Sequence, residues 1–165
     1  GLGGEKANAE SEGCVIRGGG MTMGAGIKAG EGIGVATWTV AWVVALGDRC
    51  AGLVTDNERL RNDLLTTERG AGENFWPLPL LKDYEELLKS ETADMISANL
   101  VPKGGAINAA LFLKRFAPAD APWAHLDIAG PGRAGKTRPG TTVGASGFAV
   151  RTLLKHLTGK RPGSK

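Results

Sequence analysis

Short apolar runs rich in β-branched residues alternate along this chain with segments of helical spacing, and that alternation restricts the fold to a layered α/β domain. Residues 33–39 and 42–46 read as buried strands, with Val, Ile, Thr and Trp enriched. Gly47-Asp48 signals a turn, and Ala51-Gly52-Leu53-Val54 resumes a short strand. Thr55-Asp56-Asn57-Glu58 has the form of a capping box. It opens a helix with Leu60, Leu64 and Leu65 on one side, ending near Gly70. Pro77 and Pro79 keep residues 75–80 extended, and Tyr84, Leu87 and Leu88 make the apolar face of a short helix. Residues 104–116 read as a helix with Ile107, Leu111, Phe112 and Phe116 inward, and Lys114-Arg115 near its end suit the negative end of the helix dipole. After Pro118 and Pro122 comes a strand over 123–128. Phe148, Val150, Leu153, Leu154 and Leu157 define a last helix stopped by Gly159 and Pro162, with His156 on its polar face.

Glycine breaks the pattern: 26 of the 165 residues are Gly, against a usual share of about 7%. They crowd residues 16–34, where Gly18, Gly19, Gly20, Gly24 and Gly26 would each cost a helix about 1 kcal/mol, roughly 5 kcal/mol in sum. That is comparable to the whole stability of a small domain, so a helix here is expected to be shortened, loosened or held by a partner. No Gly-x-Gly-x-x-Gly pattern fits the stretch, which argues against a nucleotide loop.

The chain is one domain's worth of residues, long enough for a real core. It has no run of about 18 apolar residues, so no membrane span is expected. The formal net charge of +3 equals the charge of Lys160, Arg161 and Lys165 alone, and the clustered basic face of a nucleic-acid binder is not visible. Cys14 and Cys50 lack metal-ligand spacing and suggest free thiols in a reducing compartment, the cytoplasm or an organelle matrix or stroma.

Four groups of residues invite chemistry. Residues 130–137, Gly-Pro-Gly-Arg-Ala-Gly-Lys-Thr, satisfy the phosphate-cradling pattern after a strand, but Pro139-Gly140 is loop chemistry where that site needs a helix start. Nucleotide is therefore not expected, and an anion on Arg133 or Lys136 is the better use of the segment. His125 and Asp127 lie two apart on a strand and share a face; a structural role outweighs a metal or acid–base pair. Glu10 and Glu12 could hold one hard cation weakly, or be two solvated acids. Trp38 and Trp42 either fill a pocket or anchor a partner surface.

Several blocks taken in order resemble the leucine aminopeptidase (cytosol aminopeptidase) family. Asn8-Ala9-Glu10-Ser11-Glu12-Gly13-Cys14-Val15 is similar to that family's Asn-Thr-Asp-Ala-Glu-Gly-Arg-Leu. Val35-Ala36-Thr37-Trp38-Thr39-Val40-Ala41 is similar to its Val-Ala-Thr-Leu-Thr-Gly-Ala. Trp76-Pro77-Leu78-Pro79-Leu80, the 104–113 segment, Trp123-Ala124-His125-Leu126-Asp127-Ile128-Ala129-Gly130 and Ala145-Ser146-Gly147-Phe148 continue the likeness to about residue 158. The resemblance implies a mixed, mostly parallel sheet sandwiched by helices, with the catalytic domain's first elements missing. It implies a partial domain over 1–158, with 16–34 poorly ordered or partner-held, and a basic flexible tail over 159–165. Family members assemble as hexamers, and sheet edges left by lost strands need cover. Homo- or hetero-oligomeric protein partners are therefore expected, without membrane insertion.

The resemblance also exposes departures. In the family the Asp and Glu of the first block bridge two divalent metals, and the Arg assists the chemistry. A metal-binding Lys, two further Asp ligands and a catalytic Lys lie upstream of that block, and seven residues precede Asn8 here. Glu10 replaces the Asp and adds a methylene, while such sites tolerate about 0.5 Å. Cys14 stands at the Arg position, without its charge or planar fork. Val40 stands where the family has a pocket-lining Gly. Two carboxylates are too few for a two-metal hydrolase. The expectation is a catalytically inactive relative used as a structural or assembly subunit. Glu10 and Glu12 would be a vestigial metal pair, and Thr37, Trp38, Val40, Ala129 and Gly132 remnants of the substrate pocket. No cofactor is expected, beyond residual Zn or Mn. The alternative is the C-terminal part of a two-metal aminopeptidase that removes N-terminal residues such as Leu, with its other ligands elsewhere.

Overall fold

A computed structural model describes residues 30–91, 94–96, 103–137 and 139–159. Four strands, β1 (Gly32–Ala36), β2 (Ala51–Val54), β3 (Phe75–Leu78) and β4 (Trp123–Asp127), form one sheet in the order β1-β4-β2-β3. The β1–β4 and β2–β3 pairs are parallel, and β2–β4 is antiparallel. Leu126 of β4 is thereby paired with Val35 on one side and Leu53 on the other. A two-residue pair, β5 (Arg133–Ala134) with β6 (Gly144–Ala145), follows β4.

Helices cover both faces, which is why every residue of β2 and β4 is buried. Alternation along a strand sends Ala51, Leu53, Ala124 and Leu126 to one face, with Leu60 and Leu64 of α2 (Glu58–Ala71) and, partly buried, Leu153 of α4 (Val150–Gly159). Val54 faces the other way, against Trp42 of α1 (Val40–Leu46) and Ala106 and Ala110 of α3 (Gly105–Lys114). A third cluster joins α3 to the 3-10 turn Lys82–Leu88 through Leu88, Leu111 and Phe112. The expected mixed, mostly parallel sheet between helices is therefore the fold.

Two local expectations are corrected. Residues 42–46 are helix, not strand. Extended Thr39 caps the helix, its Oγ1 accepting the Ala41 N–H at 3.1 Å, and Gly47 at φ 69° ends it. The β-branched composition is overridden because Trp42 must lie flat on Gly52 of β2, leaving Val40 and Val44 outward. The cap of α2 is Asn57, whose Oδ1 accepts the Leu60 N–H at 2.8 Å. Thr55 instead donates to the Trp123 carbonyl at 2.5 Å, tying β2 to β4.

The last helix also differs from its expected face. His156 is buried and bonded to Glu31 at 2.7 Å, whereas Val150, Leu154 and Leu157 are about 60% exposed. Its start is held by Glu73, a buried carboxylate that accepts the N–H groups of Ala149 and Thr152 at 3.0 Å and the Thr152 hydroxyl at 2.6 Å. Anions at a helix N-terminus are favoured by the exposed N–H groups there.

The Trp42 ring occupies the space a side chain at position 52 would need. Gly52→Ala is expected to destabilise the domain by about 1–3 kcal/mol, as overpacking does, read as a lowered denaturant midpoint with unchanged m-value.

Candidate functional site

β1 and β4 run parallel, so their carboxyl ends lie side by side, the place where open α/β sheets bind ligands. Two segments leave from there: the Thr37-Trp38-Thr39 connection into α1, and the turn from Ile128 to Gly132. Asp127 joins them. Its Oδ1 accepts the Trp38 N–H at 3.1 Å and the Ala129 N–H at 3.0 Å, and its Oδ2 accepts the Thr39 N–H at 3.2 Å. Ile128 N–H adds a bond to the Ala36 carbonyl at 2.8 Å. Asp127 is 1% exposed, and charge-assisted bonds of this kind are what make a buried carboxylate tolerable.

The five positions named as pocket remnants gather around this joint. Thr37 is exposed; Trp38 is half-buried, its ring tilted on Phe112 at 6.0 Å and edge-on to His125 at 6.4 Å. Val40 is 67% exposed at the first turn of α1. Ala129 and Gly132 are half-buried in the turn, and a side chain at 132 would press on the Ile128 carbonyl. The turn is packed from below, since a Cβ on Gly130 would collide with the Gly47 carbonyl. Ser146 closes the far side by donating to the Pro131 carbonyl at 2.6 Å.

Other candidates resolve into packing. Trp42 is fully buried against β2, and half-buried Trp38 packs on the Leu88/Leu111/Phe112 cluster. His125 is buried with its ring parallel to Trp123. In the 130–137 segment Arg133 and Ala134 pair with β6, and among the described residues no helix starts between β4 and Val150, so the helix start of a phosphate cradle is not at Lys136. Glu10, Glu12, Cys14, the glycine-rich stretch up to 29 and the tail from 160 lie outside the described residues. Among the described residues no group of three or more His, Cys, Asp or Glu could hold a metal ion. Both oxygens of Asp127 accept backbone N–H groups.

Cys50 is a free, half-buried thiol. Burial pushes its thiol up, and the Glu68 carboxylate adds to the effect. Burial also raises Glu68, against the Phe75 N–H bond and the Arg69 charge that pull it down. The role of Asp127 towards Trp38 and Thr39 was not visible in the sequence; its bond to Ala129, two residues on, follows the ordinary Asx-turn pattern.

An α/β sheet with a loop pair at its strand ends is shared with known peptidases. The description "Cytosol aminopeptidase family, catalytic domain" matches residues 5–154. A probable cytosol aminopeptidase of Prochlorococcus marinus is 41% identical over 93% of this chain and 31% of its own length. One from Nitratidesulfovibrio vulgaris is 48% identical over 74% of this chain and 24% of its own. Among solved structures, the bottromycin maturation enzyme BotP in complex with Mn superposes with a TM-score of 0.84 at 38% identity, covering 90% of this chain and 33% of that one. A tomato leucine aminopeptidase mutant gives 0.82 at 34% identity, covering 88% and 28%. This chain belongs to the cytosol aminopeptidase family. It spans about a third of the length of the curated relatives it matches.

Asp127→Asn replaces an acceptor oxygen by an NH₂ group that cannot accept, so at least one of the three N–H bonds is lost. A loss of about 1.5–3 kcal/mol is expected, with faster hydrogen exchange at Trp38 and Thr39 than elsewhere in the sheet. At Cys50 the sign of the shift means that the thiol stays protonated at neutral pH. Its peptide, followed by mass spectrometry, is expected to alkylate more slowly at pH 7 than a free model thiol, with a rate still rising above pH 9.

Proposed function

We propose that this chain is a non-catalytic relative of the leucine aminopeptidases, serving as a structural or assembly subunit of a larger complex in a reducing compartment. The observation that carries the reading is the engagement of both Asp127 oxygens by backbone N–H groups. That buried acid at the strand ends holds two loops together, and Glu10 and Glu12 are the metal donors that the family pattern places in this chain. Glu10 is one methylene longer than the family's Asp, and Cys14 lacks the charge and fork of the family's Arg. Val40, branched where the family has Gly, stands at the same joint.

A second reading is favoured by the 41% identity to a probable cytosol aminopeptidase over nearly the whole chain. In it this chain is the C-terminal part of a metal-dependent leucyl aminopeptidase whose further ligands lie on another segment. Glu10 and Glu12 then bridge Zn or Mn, and Thr37, Trp38, Val40, Ala129 and Gly132 line the substrate pocket.

Native mass spectrometry of the complex isolated through this chain, together with a leucine amide hydrolysis assay with added Mn²⁺ or Zn²⁺, separates the two. The expected result is a stable assembly with no stoichiometric metal and no hydrolysis. Two metals per site, with a segment carrying the Lys and Asp ligands and measurable turnover, would overturn it in favour of the second reading.

A further inference from the structure

Ala149, immediately before α4, is the one non-glycine residue at positive φ among the described residues, at 75°, and it is fully buried. The Val150 N–H donates to the Gly147 carbonyl at 3.1 Å, so residues 147–150 form a turn of type II, whose third position takes positive φ and favours Gly. Ala149 fills that position with a Cβ, and a left-handed alanine is strained. The strain persists because both ends of the segment are tied. At one end Glu73 accepts the Ala149 N–H and both Thr152 donors. At the other, Ser146 donates its hydroxyl to the Pro131 carbonyl at 2.6 Å and its N–H to the Gly132 carbonyl at 3.1 Å. The same hydroxyl accepts the Phe148 N–H at 3.1 Å, and the Phe148 ring packs edge-on against Phe75 with 5.4 Å between centroids. One short segment thus links the buried Glu73 to the Pro131–Gly132 turn of the strand-end joint, with the strained residue between them.

We propose that residues 144–149 are a two-position strap, in which Glu73 holds Ala149 at positive φ and so keeps Ser146 seated on the Pro131–Gly132 turn. In the released position Ala149 relaxes to negative φ, its N–H leaves Glu73, and Ser146 leaves both carbonyls. The turn at the strand-end joint then loses its outer support. The strain of one left-handed alanine and the net gain from one charge-assisted hydrogen bond are of the same order, which keeps the two positions close in free energy. Gly144 and Gly147, at φ 115° and 66°, flank Ser146 and serve as its hinges. The strap acts on the joint whether or not a reaction occurs there, so it goes beyond the non-catalytic reading and does not rest on it.

Amide hydrogen exchange on the whole chain reads the strap at the Ser146 N–H, with Leu126, paired on both sides in mid-sheet, as the reference for global opening. In the parent, Ser146 is expected to exchange about tenfold faster than Leu126 or more, through release of the strap alone. Ala149→Gly removes the strain from the seated position and is expected to slow Ser146 by about fivefold or more. Glu73→Gln leaves one acceptor oxygen for three donors and is expected to speed Ser146 by about tenfold. The opposite signs separate a strap from ordinary packing, in which a new glycine loosens its segment. Exchange at Ser146 as slow as at Leu126 in the parent, or not slowed by Ala149→Gly, would overturn the proposal. So would a folded Glu73→Gln variant with Ser146 exchange unchanged; if that variant does not fold, Ala149→Gly decides alone. No arm reads hydrolysis, so a hydrolytically active complex would defeat the non-catalytic reading and leave the strap to stand or fall separately.

Discussion

The two carboxylate oxygens of Asp127 hold together what would otherwise be two independent loops. Strand ends in a parallel pair cannot bond to each other beyond the last register position, so their departing segments diverge unless something bridges them. A side chain at the end of β4 supplies that bridge by accepting N–H groups from 38, 39 and 129. The bridge sets the start of α1, which sets Trp42 on Gly52, which packs that face of β2. A single buried charge thus propagates through a helix start into the core, and burial strengthens each of its bonds relative to water.

Much of the layering was legible along the chain. β2, β4 and α3 announce themselves because their apolar residues match the burial that both sheet faces impose. Residues 42–46 were misleading for a physical reason: strand preference is a statement about fitting a half-buried pleated surface, and a Val-rich segment fits a helix equally when one Trp supplies the burial. The Thr55 box was displaced because its hydroxyl was needed by a strand 68 residues away. Asp127 and His156 make the same point, since their partners Trp38 and Glu31 lie 89 and 125 positions off in sequence. Local pattern carries helices and turns, and it carries no information on pairings of that range.

Membership of the aminopeptidase family rests on the frame of this chain, and the family's chemistry is a separate question of site residues. That frame in this chain is the sheet, the strand-end joint and the glycine-bearing turn at 130–132, whose close approach to Gly47 and Ile128 leaves no room for a Cβ. Those features are packing requirements and persist whether or not a reaction is performed. The proposed loss of activity rests instead on Glu10, Cys14 and Val40, the positions at which the sequence departs from the family pattern. A fold is held by many small terms, whereas a metal site fails when one ligand is lost, so the two are free to part company.

Glu73 gives the chain an order in time. Its carboxylate lies in the middle of the sequence, while every donor that satisfies it, Ala149, Thr152 and the nearby Arg151, comes 76 or more positions later. During synthesis the acid cannot be buried until those residues have left the ribosome, because an unpartnered buried carboxylate costs several kcal/mol. The start of α4 must therefore be made before Glu73 can be buried. Burial of this acid in that sense waits on α4.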